Sequence, residues 1–117
     1  MIRVVVERKI KNRQDIGRLL HNLHMIAFLR KGHSSNETLI NIKNNRVIAV
    51  VSTWQSLEDW NAWASSKERA EILAQIEPLL AKKMQVRIYE IISPAEVDYY
   101  ADPESWIQEH EHAQLEG

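Results

Sequence analysis

The chain has 117 residues, 44% of them hydrophobic, with 15 basic and 16 acidic side chains and a formal net charge of -1. That length suits one domain with one core, and the balanced charge offers no clustered basic face for a nucleic-acid partner. There is no cysteine, which excludes disulfides, thiolate nucleophiles and cysteine-ligated zinc or iron–sulfur sites.

The first residues, Met1-Ile2-Arg3, a valine run and then Glu7-Arg8-Lys9, are too soon charged for the apolar region of a signal peptide. No apolar run reaches the length of a membrane span, so a cytoplasmic location without membrane contact is expected. Residues 2–10 place Ile2, Val4, Val6 and Ile10 on one side and Arg3, Glu7 and Lys9 on the other, which predicts a strand. Asn12 with Asp15 three residues on has the spacing of a helix N-cap. From there Ile16, Leu19, Leu20, Leu23 and Ala27 recur at helical spacing until Gly32.

Thr38 to Ile42 and Arg46 to Trp54 are β-rich runs about the turn Lys43-Asn44-Asn45, and Asn tolerates the positive φ of a hairpin turn. Ser56 precedes Asp59 by three and Ser65 precedes Glu68 by three, so two capping boxes predict a short helix and then a longer one to about Leu80, reset by Pro78. Gln85 to Ile92 reads as a fourth strand, with Pro94 barring further pairing. The order β-α-β-β-α-β is that of a ferredoxin-like α+β domain with an antiparallel sheet, assigned to residues 1–93. Residues 94–117 form a C-terminal extension, in which Asp102-Pro103-Glu104 opens an extra helix with Trp106 and Ile107 as its apolar contacts.

An antiparallel sheet covered by helices on one face leaves the other face open. Val5, Ile48, Val50, Tyr89 and Ile91 are assigned to that open face, whose half-apolar character calls for cover, and a homodimer is expected.

The stretch Ser52-Thr53-Trp54-Gln55-Ser56-Leu57-Glu58-Asp59-Trp60-Asn61-Ala62-Trp63, continuing through Ser66-Lys67-Glu68-Arg69 to Ile76-Glu77-Pro78-Leu79-Leu80, resembles the antibiotic biosynthesis monooxygenase family. Gly32 followed by Thr38-Leu39 fits the same pattern, and the likeness covers roughly residues 1 to 92. It implies a dimeric α/β barrel, in which two ferredoxin-like sheets pack together and each subunit keeps a pocket between its sheet and its helices. The activities it implies are cofactor-independent oxygenation of quinols and polyketide phenols, or oxidative breakdown of haem. The haem-degrading pattern needs an Asn on the first strand, a Trp after the third, and a His about three turns further on. Trp63 matches the Trp, but Leu73 stands ten residues beyond it, and Arg8 or Glu7 stands in place of the Asn. No haem or other cofactor is therefore expected.

Chemistry-bearing residues follow from pattern. Strand alternation puts Arg8 on the face of Ile2, Val4, Val6 and Ile10, where a charge must be paired or serve a ligand. Glu90 interrupts the face of Met84, Val86, Ile88 and Ile92 in the same way. Either the two pair with each other, or Arg8 anchors a phenolate or carboxylate and Glu90 assists proton removal. His24 borders the apolar helix face as a pocket base, while His21, three residues earlier, turns to solvent; the two could approach one metal, but no third ligand accompanies them. No metal site is expected. His33, beside Gly32, has a reference pKa near neutrality and is a second base. Trp60 and Trp63 share one helix face and either wall a pocket or fill core. His110 and His112 fall in the polar tail as solvated side chains.

No glycine spacing for a P-loop or a dinucleotide fold occurs. The expected function is a small cofactor-independent monooxygenase of a phenolic or quinol-like compound. The alternative is a non-catalytic homodimer that binds a small molecule, such as a small aromatic ligand, or a partner, with a haem-degrading monooxygenase ranked below both.

Overall fold

The computed structural model describes residues 1–104. Four strands, β1 (Ile2–Lys9), β2 (His33–Ile40), β3 (Val47–Trp54) and β4 (Gln85–Glu90), form one sheet in the order β2-β3-β1-β4. All neighbours are antiparallel. Helices α1 (Ile16–Phe28), α2 (Leu57–Ala64) and α3 (Lys67–Ile76) connect the strands, giving the α+β ferredoxin-like arrangement expected from the element order. Among the described residues no helix is long and apolar enough to cross a membrane.

The core forms where the inward sheet face meets α1, α2 and α3. Ile2, Val4, Val6 and Ile10 from β1 and its exit join Leu19, Leu20, Leu23 and Ala27 of α1, with Trp54, Trp60, Trp63, Ile72 and Ile76 completing the cluster. Each such apolar side chain stabilises the fold by roughly 1.5–3 kcal/mol when fully buried. The end of β1 is closed from below. Lys11 N–H donates to Leu79 O, Ala81 N–H donates to Lys9 O, and Ile10 bridges Leu80.

Local chemistry moves several boundaries from their expected places. Asn12 does not cap α1: its Oδ1 accepts from Gln14 N–H at 2.9 Å, closing a local turn. The cap position belongs to Asp15, in left-handed backbone with φ 65°, whose side chain makes no capping bond. The second capping serine is Ser66, which accepts from Arg69 N–H at 3.2 Å, while Ser65 turns back to Asn61 O at 2.8 Å. Ser56 caps α2 as expected, accepting from Asp59 N–H at 3.1 Å. Strand β2 starts at His33 rather than Thr38, because ladder pairing with β3 overrides the weak β preference of His-Ser-Ser-Asn-Glu.

The phase of β3 also differs from expectation. Val6 opposes Val50 and Arg8 opposes Ile48, so Ile48 and Val50 face the helices, and Val47, Ala49 and Val51 lie on the open face with Val5 and Tyr89. The run Val47–Val51 is apolar at every position, so alternation carries no phase there; the buried Trp54 sets it.

A β-bulge lies between His33 and Ser35: His33 opposes Trp54 while Ser35 opposes Thr53, so Ser34 is the extra residue. Beyond β4, Ser93 caps a 3-10 turn at Pro94–Glu96, followed by the short helix α4 (Val97–Ala101). Asp102 Oδ1 then accepts from Glu104 N–H at 3.1 Å and residues 103–104 are helical; the rest of the expected helix lies outside the described residues. Trp106, Ile107, His110 and His112 lie outside the described residues.

Candidate active site

Strands β1, β2 and β3 and helices α1, α2 and α3 contribute to one cavity between sheet and helices. Strand β1 places Arg8 at its floor, beside Val6. Strand β3 adds Val50, Ser52 and Trp54, and β2 adds His33 and Asn36. These last two are three residues apart and would face opposite ways in a regular strand; the bulge brings them to the same side. Helix α1 supplies Leu23, His24 and Ala27, α2 supplies Trp60 and Trp63, and α3 supplies Arg69. The enclosed space is about 30 Å³, enough for bound water, and it opens into a hollow of about 380 Å³ counted out to solvent.

Arg8 is 2% exposed, and its Nε–H has no hydrogen-bond partner. Two further buried polar atoms in the same lining, His33 Nε2 and Asn36 Oδ1, are also without partners. These three are the whole of the buried unsatisfied side-chain atoms among the described residues. Buried polar groups in folded proteins are nearly always satisfied, so three such atoms on residues around one cavity mark a place for bound water or for the polar groups of a ligand.

The surrounding rings are fixed by edge-to-face contacts. His33 meets Trp54 at 5.0 Å between centroids, and Trp54 meets Trp60 at 5.8 Å. Trp54 is fully buried, and its indole N–H donates to Ser52 Oγ at 3.0 Å. Arg69 sits over the Trp60 ring at 5.3 Å and donates to Ala64 O at 3.3 Å. It is held in place and 7% exposed. Arg30 lies outside the cavity, over Trp63 at 5.7 Å, bonded to Ala62 O and facing Glu68.

Electrostatics follow from this burial. Desolvation, with the charge of Arg69 second, lowers the Arg8 pKa to about 10. The guanidinium therefore remains charged at neutral pH. Desolvation also lowers His24, assisted by Arg8, His21 and His33, and burial lowers His33. Both imidazoles are thereby biased to the neutral form, in which a ring nitrogen can accept a proton. His24 Nε2 lies 3.5 Å from Thr38 Oγ1.

Of the residues singled out in the sequence, Arg8, His24, His33, Trp60 and Trp63 come together here. Glu90 does not. It opposes Ile2 across the β1–β4 ladder, six residues along β1 from Arg8, a separation of roughly 20 Å. That distance also removes the expected Arg8–Glu90 pair. Leu73, at the position where the haem-degrading pattern needs a ligand, packs against the core. His21 is exposed, as expected. Asn36, Ser52 and Arg69 were not singled out; Arg69 shares the helical spacing of Ile72 and Ile76, and that signal was available.

No family model matches the sequence, and no curated protein matches it. Solved structures do match in fold. SnoaB, a cofactor-independent oxygenase from Streptomyces nogalater, superposes with a TM-score of 0.72 at 5% identity, covering 79% of this chain and 93% of that one. Rv0793 from Mycobacterium tuberculosis gives 0.72 at 14% identity, covering 80% and 97%. An antibiotic biosynthesis monooxygenase gives 0.70 at 11% identity, covering 80% and 100%. The chain therefore has the fold of the antibiotic biosynthesis monooxygenases, as the tryptophan-rich stretch implied.

Proposed function

We propose that this chain is a small cofactor-independent monooxygenase of a phenolic or quinol-like compound, acting as a homodimer with its site in the cavity around Arg8. The observation that carries the reading is that Arg8, His33 and Asn36, each with one buried and unpartnered polar atom, line the same hollow as Trp54, Trp60 and Trp63. The shared fold with a cofactor-independent oxygenase supports it.

The chemistry asks little of the protein. A neutral imidazole, His24 or His33, takes the phenolic proton, and the Arg8 guanidinium stabilises the negative oxygen left behind. The activated ring carbon then gives its electrons to dioxygen and forms a C–O bond. Cleavage of the O–O bond with loss of that carbon's single hydrogen turns the ring C–H into a carbonyl and the phenol into a quinone, and the phenolic proton, the carbon's proton and the second oxygen atom leave as one water. The four electrons come from the substrate, so no external reductant is needed. The tryptophan wall keeps the electron-rich intermediate from bulk water.

The dimer part of the reading rests on the uncovered sheet face, where Val5, Val51 and the half-exposed Leu39 and Tyr89 stand. A second copy laid on that face would bury it and form the barrel.

The test is oxygen consumption by the purified chain presented with anthrones and hydroquinones, followed by mass measurement of the products. Uptake that falls at least tenfold in Arg8→Gln, with the fold unchanged by circular dichroism, is the expected result. Saturable ligand binding with no uptake for any of these compounds would make the chain a binding module instead.

A further inference from the structure

The cavity carries more positive charge than the proposed reaction uses. Arg8 and Arg69 are both buried in its lining, and no aspartate or glutamate is among the lining residues. The ion pairs among the described residues lie elsewhere, between Arg18 and Asp15 and between Arg30 and Glu68. A buried guanidinium without a counter-charge is costly, because its desolvation is not repaid by an opposite charge.

Abstraction of a proton inside the site does not supply that counter-charge. When a neutral phenol passes its proton to His24 or His33, a phenolate and an imidazolium appear together, and the net charge of the cavity is unchanged. Only a ligand that enters as an anion lowers it. An ordinary phenol titrates near pH 10 and enters neutral, whereas a carboxylic acid titrates near pH 4 and enters charged.

The two arginines are not equivalent. Arg69 is already engaged, stacked over Trp60 and bonded to Ala64 O, so it contributes a fixed field. Arg8 has an unpartnered Nε–H and makes no ion pair with any other described residue. Its planar fork fits a carboxylate with two parallel hydrogen bonds.

We propose that the substrate is a hydroxyaryl carboxylate, bound with its carboxylate on Arg8 and its hydroxyl toward His33 and Asn36. This deepens the oxygenase reading and rests on the same cavity. In the proposed complex Asn36 Oδ1 accepts from the hydroxyl and His33 Nε2 takes its proton.

The experiment compares 4-hydroxybenzoate with 4-hydroxybenzamide, which has the same shape without the charge, by calorimetric titration of the full chain. The acid is expected to bind at least tenfold more tightly than the amide, and Arg8→Met is expected to remove the difference. Equal affinities, or no binding of the acid at millimolar concentration, overturn the inference on the unaltered protein alone, so it does not depend on the variant folding. A preference that survives in Arg8→Met overturns the role of Arg8. Acid preference without oxygen uptake by any substrate leaves the anion site standing and removes the oxygenase. Uptake with neutral quinols and no acid preference does the reverse.

Discussion

Gly32 lies against the side chain of Asp59 so closely that a Cβ built on the glycine would overlap the carboxyl group and stand 2.7 Å from the Asp59 Cβ. Gly32 also has φ +83°, a backbone conformation that L side chains rarely adopt. Two independent penalties therefore act on any replacement. Gly32→Ala should lose more than about 1 kcal/mol, read as a lower urea midpoint. Adding Asp59→Ala removes the overlap with the carboxyl group but keeps the Cβ at 2.7 Å, so it should restore only part of the steric loss and leave the backbone part. Complete recovery in the double variant would show that φ costs nothing here.

Arg8 gives a prediction of opposite sign. It is charged, buried and unpaired, so Arg8→Met removes a desolvation cost while keeping most of the volume. The expected result is a melting temperature raised by about 4 °C or more, together with loss of ligand binding. A large fall in melting temperature would mean that the guanidinium supports the fold.

The histidines set a pH dependence. Burial, joined at His24 by Arg8, His21 and His33, holds both His24 and His33 below the usual imidazole pKa. In the unfolded chain these rings take a proton near pH 6.5, and in the fold only at lower pH. Between those values the unfolded state binds more protons, so stability is complete above about pH 6.5 and is lost as pH falls through the folded values. Thermal melts between about pH 7.5 and pH 5 should show this decline, and His24→Asn should reduce it. An identical decline in the variant would assign it to other groups.

The open sheet face is tested by charge. Val5 and Val51 oppose each other across β1 and β3, both half-buried in the single chain. Val51→Glu should leave the secondary structure intact and give a monomer in sedimentation velocity at concentrations where the parent chain is a dimer. A monomeric parent chain at high micromolar concentration would remove the barrel.

Topology was legible because most elements carried their own period, as in the alternation of β1 and the helical spacing of α1, and because Ser56 caps α2 as its spacing to Asp59 implied. Phase was not legible in β3, where every residue from Val47 to Val51 is apolar. At the site, Arg8 stood out as a charge on an apolar strand face. Glu90 stood out for the same reason and lies on the same sheet face, yet antiparallel pairing sets the end of β4 beside the start of β1. Alternation reports which face a residue occupies and carries no information about its position along the neighbouring strand. Arg69 was hidden by its place in the first turn of a helix, where a solvated arginine is ordinary, and by the indole of Trp60 that accompanies it inward.

The bulge at Ser34 makes the spacing between α1 and β2 a matter of counting. Deleting one residue there would restore strict alternation and swing His33 out of line with Asn36, severing the cavity from one of its two imidazoles while leaving the sheet hydrogen-bonded. One residue added or lost at the Asn41–Arg46 hairpin tip changes only the loop. Two indels of equal size, one on each side of the same strand, would thus separate folding from chemistry without altering a single side chain of the site.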